Sequence, residues 1–533
     1  MSEFDILILD GTVFDGGGGP PAEMDVGLSG DRITFIGKAG ARSAAATLDA
    51  RGLFVSPGFM DVHSHSDFTL LADPMAAEGK LFQGVTAEVN GNCGLSGGPL
   101  LGEAAGQRES DLSELGISER WQGLDEYLRL LEGRGLFMNF ATLCGHGNIR
   151  ASVLGYADRA PKDFELARMA ELLSKSLDAG ALGLSTGLIY PPGTYSRTEE
   201  LVELAERGRK ASGNFIYATH MRSEGDALIE SIREAVTIGS AAGRLQISHI
   251  KTAGRNNWGK IGDAIRTVEE ARASGLRVSA DRYPYTAAST DLDTVLPAWA
   301  WEGGARAELA RLIDPETRKK ISGEIKKDPG YWSSVYVSSM PSEADRWMEG
   351  KSLEAIAREL GKPPLDALFD ILIRGEVRVS AIFHSMSEEN LRRFYRQPWV
   401  MVGSDSSARS FGGVTAAGVP HPRTFGTFPR FLKRYTMEES GAGPGAGPLE
   451  EAIRKITSLP AETFGFSGRG LLKEGFFADI AVFDPARLAD IATFEEPFRR
   501  AEGMVHLIVN GEAVIADGKL TGRRPGRVLR KGK

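Results

Sequence analysis

Phe59-Met60-Asp61-Val62-His63-Ser64-His65-Ser66-Asp67 closes a short apolar run with two histidines two residues apart. On a strand, side chains two apart share a face, so His63 and His65 point the same way, with Asp61 and Asp67 on that face as well. Similar endings recur along the chain. Cys93 sits in Val89-Asn90-Gly91-Asn92-Cys93-Gly94, a tight polar turn after an apolar run. His220 closes Tyr217-Ala218-Thr219-His220, His249 closes Gln246-Ile247-Ser248-His249, and Asp405 closes Met401-Val402-Gly403-Ser404-Asp405. Ligand-type residues at successive strand ends converge on the C-terminal face of a β/α barrel, where such barrels keep their chemistry. Imidazole, thiolate and carboxylate together suit zinc.

Outward from these endings the pattern is strand-helix alternation, which argues a parallel sheet. Candidate strands begin near Phe59, Val85, Phe137, Ala181, Phe215, Leu245, Val278, Val379 and Val400. Helical periodicity runs over Asp163–Leu177 and Asp226–Ile238. That is one strand more than a closed barrel of eight holds, so the run near Val278 or the run near Val379 belongs to an insertion. Residues from about 291 to 375 break the alternation and read as an inserted lid over the barrel mouth. Both chain ends alternate in the β manner. Phe4–Phe14, Val26–Ile36 and Ala46–Val55 read as strands, and Ala478–Pro485 and Val505–Glu512 as a strand and a hairpin. The expected architecture is a distorted (β/α)8 TIM barrel over 57–465 carrying the insertion. A small β-sandwich is built from 1–56 and 466–533 together. Gly441–Pro448 reads as a flexible loop without chemistry.

The chain has 533 residues and a formal net charge of -8, with no basic block, so no nucleic-acid surface is expected. Two cysteines, Cys93 and Cys144, make no disulfide framework and fit a reducing compartment. No stretch reads as a signal peptide or membrane span, so a cytoplasmic protein is the expectation.

Other chemistry-bearing residues divide by context. Cys144, inside an apolar run, reads as a small core residue. His146, in Gly145-His146-Gly147, is open between pocket and structure. His384 ends a strand-like run and is a candidate to face the site. His421 reads as a loop residue, and His506 as structural. The fourth strand, Ala181–Gly187, holds no lysine of the kind that bridges two metals when carboxylated, which leaves Cys93 as the evident soft ligand or bridge.

Taken together these blocks resemble the amidohydrolase superfamily and, within it, the N-acyl-D-amino-acid deacylases (D-aminoacylases). The resemblance rests on Ser56–His65, Gly91-Asn92-Cys93-Gly94, His220-Met221-Arg222-Ser223-Glu224, Ser248-His249-Ile250-Lys251, Asp281-Arg282-Tyr283-Pro284-Tyr285, Gly403-Ser404-Asp405 and His421–Arg430. It implies one zinc held tightly by Cys93, His220 and His249, and a second position, weaker or empty, at His63 and His65. It implies metal-bound hydroxide as nucleophile and Asp405 as general base, then acid. Lys251, Tyr283, Ser289 and Arg423 match positions that hold the substrate's carboxylate or line its pocket. An Arg offers a bidentate fork and a Lys a point charge to such a carboxylate. The expected partner is a small N-acyl amino acid. The D preference comes from the resemblance alone, and Ser406-Ser407-Ala408-Arg409 departs from the His-containing loop of some members, which leaves the side-chain preference open. The alternatives are a cyclic amidase of the hydantoinase or dihydroorotase kind, a D-dipeptidase, and a catalytically inactive barrel scaffold.

Overall fold

The computed structural model describes residues 2–325, 329–437 and 447–530. Six of the eight residues of the loop Gly441–Pro448 therefore lie outside the described residues. Eight parallel strands form the barrel: Phe59–Asp61, Val85–Asn90, Asn139–Thr142 continuing as Cys144–Gly145, Gly183–Gly187, Ile216–His220, Arg244–Ile247, Arg277–Arg282 and Val400–Val402. A parallel bridge between Ser64 and Ser406 joins the eighth strand to the first and closes the ring. The strand near Val278 is thus the seventh barrel strand. The run near Val379 pairs elsewhere, which settles the surplus strand.

The helices between strands follow from amphipathic spacing. In Asp163–Ala179 the buried side chains Met169, Leu172, Leu173, Ser176 and Leu177 recur at three- and four-residue steps, acidic Asp163 and Glu165 sit in the first turn, and Gly180 at φ 116° ends the helix. At the floor of the barrel, Val62, Val89, Ala141, Leu182, Ala218 and Met401 enclose an apolar cluster with Phe464. Met60 and Ala87 pack on Ala461, with Phe466 and Leu529 against them. The floor is therefore sealed by apolar side chains, and the polar side chains gather at the opposite end.

The inserted unit is a three-stranded antiparallel sheet of Ala287–Asp291, Ser380–His384 and Val335–Ser339, in that order. It has its own core, in which Leu292, Trp301, Leu312, Val335 and Phe369 are buried. Its sheet begins at Ala287 and ends at His384, so it extends past the expected 291–375 at both ends. The reason is that strands at its two ends pair with each other, a long-range contact that leaves no mark in local alternation. Its first strand lies over the barrel's C-terminal face. Thr290 Oγ1 is 2.7 Å from the Tyr190 hydroxyl, and Ser289 O accepts from Arg423 Nη2 at 3.2 Å.

Both chain ends form one nine-stranded sheet, in which Phe54–Pro57 pairs with Ile480–Phe483. A bridge from Arg32 to Phe477 brings its far edge back onto the C-terminal segment. Two expected strands are split by turns. Val26–Ile36 breaks at Gly30, φ 57°, into Ala22–Ser29 and Arg32–Gly37. Ala46–Val55 breaks at Gly52 into Ala44–Asp49 and Phe54–Pro57. No helix among the described residues is long and apolar enough to cross a membrane.

Candidate metal centre and active site

Two groups of donor atoms meet at the C-terminal face and share Cys93. His63, His65, Cys93 and Asp405 form one, and Cys93, His220 and His249 the other, each with its donor atoms within 4.8 Å of one another. Cys93 Sγ lies 3.3 Å from His63 Nε2 and 3.7 Å from His249 Nε2. Both ring nitrogens of His220 are buried and lack any hydrogen-bond partner. A buried imidazole with an unused lone pair beside a thiol is what a metal would complete, and the sulfur-nitrogen-oxygen donor set fits zinc.

The backbone is bent to deliver these groups. Eight non-glycine residues among those described have positive φ, and three of them are Cys93 (53°), His249 (36°) and Asp405 (51°). Such left-handed conformations cost about 1–3 kcal/mol each and persist where the surroundings enforce them. For Cys93 the enforcement is visible. Asp67 accepts from the backbone N–H of Gly91 at 3.3 Å and of Gly97 at 3.1 Å, holding both ends of the cysteine turn. Gly91 is obligatory there: a Cβ would stand 2.2 Å from Leu143 O.

A second layer orients the rings. Asp281 accepts the backbone N–H of His249 at 2.9 Å and lies 3.3 Å from His63 Nδ1, which leaves His63 Nε2 facing the site. Glu224 sits 2.8 Å from His249 Nδ1 and 3.7 Å from His220 Nε2, and it pairs with Lys251. Lys251 Nζ is also 2.9 Å from His249 Nδ1. One ring nitrogen cannot both donate to Glu224 and accept from Lys251. Ligation through Nε2 requires a proton on Nδ1 and therefore selects Glu224, the usual carboxylate partner of a ligating histidine. Burial pushes the Glu224 carboxyl up, but Lys251, His249 and His220 outweigh it and hold it far below its ordinary range.

Charge sets the protonation of the metal-free rings. Burial pushes the Cys93 thiol up, but the charge of the His63 ring, together with the neighbouring His220 and His249 rings, holds it well below the usual thiol range. Burial lowers His220 and leaves it neutral. Burial also opposes charge on His249, yet Glu224 and Asp405 prevail over both burial and Lys251 and raise the ring to about 9. His65 is likewise raised to about 9 against burial, chiefly by its hydrogen bond to Asp405.

Asp405 joins the two halves of the site. Its Oδ1 lies 3.2 Å from His65 Nε2 and 3.4 Å from His63 Nε2, and its Oδ2 lies 3.0 Å from Arg423 Nη1. Burial raises this carboxyl, but Arg423, His249 and His63 keep it well below its ordinary value. The Arg423 guanidinium stacks 4.5 Å from the Tyr283 ring. Its Nε and Nη1, and the Tyr283 hydroxyl, are buried without hydrogen-bonded acceptors, the Asp405 contact being ionic and off the N–H direction. Buried donors left unmade cost about 1–3 kcal/mol each, so this cluster is built to meet an anion.

Other chemistry-bearing residues lie outside the donor groups. Asp61 does not face the site. It accepts from the Ser404 N–H at 2.9 Å and pairs with the buried ammonium of Lys80, which also donates to Ser404 Oγ at 2.6 Å. Asp67 supports the cysteine turn. His146 turns away and pairs with Glu200 at 2.9 Å. His384 packs on Tyr336 of the inserted unit and on Phe494 of the C-terminal segment. His421 is a loop residue by backbone but is buried, with both ring nitrogens bonded. Cys144 is buried in the core and its thiol is pushed up to about 12 by burial. His506 bonds Asp517 N in the terminal sheet. Lys80, Asp281 and Glu224 acquire their roles only through contacts between distant segments. Local spacing carried no signal for Lys80, while Asp281 and Glu224 lay inside quoted blocks with no role attached.

The chain is similar to known proteins over nearly its whole length. The chain is 36% identical over 529 residues to a D-aminoacylase of Alcaligenes xylosoxydans xylosoxydans, spanning 99% of this chain and 97% of the relative. It is 35% identical to an N-acyl-D-aspartate deacylase of the same organism, over 100% and 96% of the two chains. A crystal structure of the N-acyl-D-glutamate deacylase from Bordetella bronchiseptica, complexed with zinc and a phosphonate inhibitor, superposes with a TM-score of 0.82 at 32% identity, covering 99% of this chain and 100% of that one. The sequence model of the amidohydrolase family (Amidohydro_3) matches residues 46–515. The chain belongs to the amidohydrolase family.

Proposed function

We propose that the protein is a zinc-dependent deacylase that hydrolyses the amide bond of N-acyl-D-amino acids, releasing a carboxylate and a free D-amino acid. The observation that carries this reading is the adjacency of a sulfur-nitrogen donor set to a buried, acceptor-poor Arg423–Tyr283 cluster, with Asp405 in contact with both. Zinc-type donors, a carboxylate and an anion-binding cluster within one site match a substrate whose scissile amide lies next to a free carboxylate.

Cys93, His220 and His249 would hold the tighter zinc, and His63 and His65, with Asp405, the weaker second position. His220 supports this order, because it is the neutral ring with two unused nitrogens. Bound zinc supplies Lewis acidity and lowers the pKa of water towards roughly 7. Asp405 Oδ1, aimed at this centre, accepts the proton of the attacking water and returns it to the departing amine nitrogen. A positioned acid-base group of this kind contributes roughly 10²–10⁴-fold. Arg423 takes the substrate's α-carboxylate by a charge-assisted fork, with the Tyr283 hydroxyl beside it. Lys251 stands further back, its ammonium engaged by Glu224, and Ser289 contributes its carbonyl to hold Arg423 in line. A thiol that must stay reduced to serve as a ligand favours work in the cytoplasm.

The test is a hydrolysis screen of paired N-acetyl-D- and N-acetyl-L-amino acids with the zinc-loaded protein. Turnover of D members with L members inert is the expected result. Cleavage of cyclic ureides such as hydantoins, without cleavage of the linear amides, would overturn it.

A further inference from the structure

His421 is buried beside Arg423 and Tyr283 but touches none of the reacting groups itself. Its Nδ1 accepts the backbone N–H of Arg423 at 3.0 Å, and its Nε2 donates to Ala287 O at 3.0 Å. These two bonds fix one neutral tautomer, with the proton on Nε2. Arg423 opens the helix Arg423–Leu432, whose N-cap Pro422 offers no side-chain acceptor. Helix N-termini leave N–H groups without partners, and here the His421 ring fills that role from one residue further back. Ala287 begins the first strand of the inserted unit, and the same strand gives Ser289 O to Arg423 Nη2 at 3.2 Å. Tyr285 and Phe494 pack edge-on against the ring, with centroids 5.1 and 4.9 Å away, and flank it.

We infer that His421 is a positioning residue for substrate recognition: it ties the backbone of Arg423 to the first strand of the inserted unit, and so fixes the guanidinium between Asp405 and Ser289 O. The inference rests on the reading of Arg423 as the carboxylate binder. One ring spans two chain segments that must stay in register for the fork to meet a carboxylate, and a displacement of about 1 Å in such a group costs on the order of a hundredfold. Burial and the neighbouring Arg423 charge both hold the ring well below the usual imidazole range, which keeps Nδ1 free to accept.

The experiment compares the wild type with His421→Phe, His421→Asn and His421→Gln, on an N-acetyl-D-amino acid and on its carboxamide, which lacks the anionic group. Asn places an oxygen near Nδ1, and Gln an amide nitrogen near Nε2, so each restores one of the two bonds. His421→Phe should raise KM for the acid by about tenfold or more with kcat within about threefold, with a much smaller change for the carboxamide. Asn and Gln should each recover part of that loss. Should His421→Phe fail to fold, Asn and Gln carry the test, each expected to shift the acid-to-carboxamide KM ratio by about threefold or more. Equal losses on both substrates, or an unchanged ratio in the folded variants, would overturn the role. A wild type that treats acid and carboxamide alike would instead overturn the reading of Arg423, and this inference with it.

Discussion

Arg423 Nη1 lies 3.0 Å from Asp405 Oδ2, so the guanidinium assigned to the substrate's carboxylate touches the carboxylate assigned to proton transfer. Recognition and chemistry are therefore adjacent, and removing the arginine should be felt mainly by the anionic substrate. Arg423→Met should lose about tenfold to a hundredfold or more in kcat/KM on an N-acyl-D-amino acid, and much less on its carboxamide. Steady-state kinetics on the pair checks this, and matched losses would leave Arg423 a structural residue.

Neither Glu224 nor Asp281 can stand in for Asp405, since Glu224 is engaged by Lys251 and His249 and Asp281 by His249 and Gln246. Asp405→Asn should fold, retain zinc and lose several orders of magnitude in kcat. Retention of more than about a tenth of wild-type turnover would exclude the proton-shuttle role.

Zinc binding should release protons. Cys93 is held as thiolate and His220 as neutral imidazole, while His249 is raised to about 9 and carries a proton at neutral pH. Ligation through His249 Nε2 must expel one, so filling the tighter position should release about one proton near pH 7.5, and affinity should rise with pH up to about 9. Calorimetry in buffers of different ionisation enthalpy reads this number. Affinity that falls as pH rises over that range would contradict the ligand assignment.

Thiol chemistry should separate the two cysteines. In the metal-free protein Cys93 should alkylate at pH 7.5 and Cys144 should not, because burial pushes the Cys144 thiol up to about 12. Added zinc should protect Cys93. Mass spectrometry of the labelled peptides distinguishes this from equal or reversed labelling.

The barrel and its candidate donor residues were legible because each donor lies at or just after the end of a short apolar strand, and that pattern is local. The side chains of Cys93, His220, His249, His63, His65 and Asp405 lie together in two groups that share Cys93. What stayed hidden depends on contacts between distant segments. The pairing of Ala287–Asp291 with Ser380–His384 joins strands nearly ninety residues apart, so the edges of the insertion were misplaced. Nothing in the local sequence marks Lys80, yet it lies fully buried against Asp61 and ties the first and eighth strands together through Ser404. His421 gave no periodic signal, since its partners are a backbone N–H two residues on and a carbonyl at 287.

Lys80 supplies a stability test. Lys80→Met would leave Asp61 buried and uncompensated, and should cost about 3–5 kcal/mol in urea unfolding. Adding Asp61→Asn should recover part of it. A cost below about 1 kcal/mol would mean that the pair does not hold the strands together.

The most direct measurement is parallel zinc analysis and N-acetyl-D-amino-acid hydrolysis on the wild type and a Cys93→Ala, His220→Ala double variant. The wild type should hold zinc and hydrolyse the D substrate, and the double variant should lose both. Full zinc occupancy in the double variant, or undiminished hydrolysis without zinc, would contradict the account.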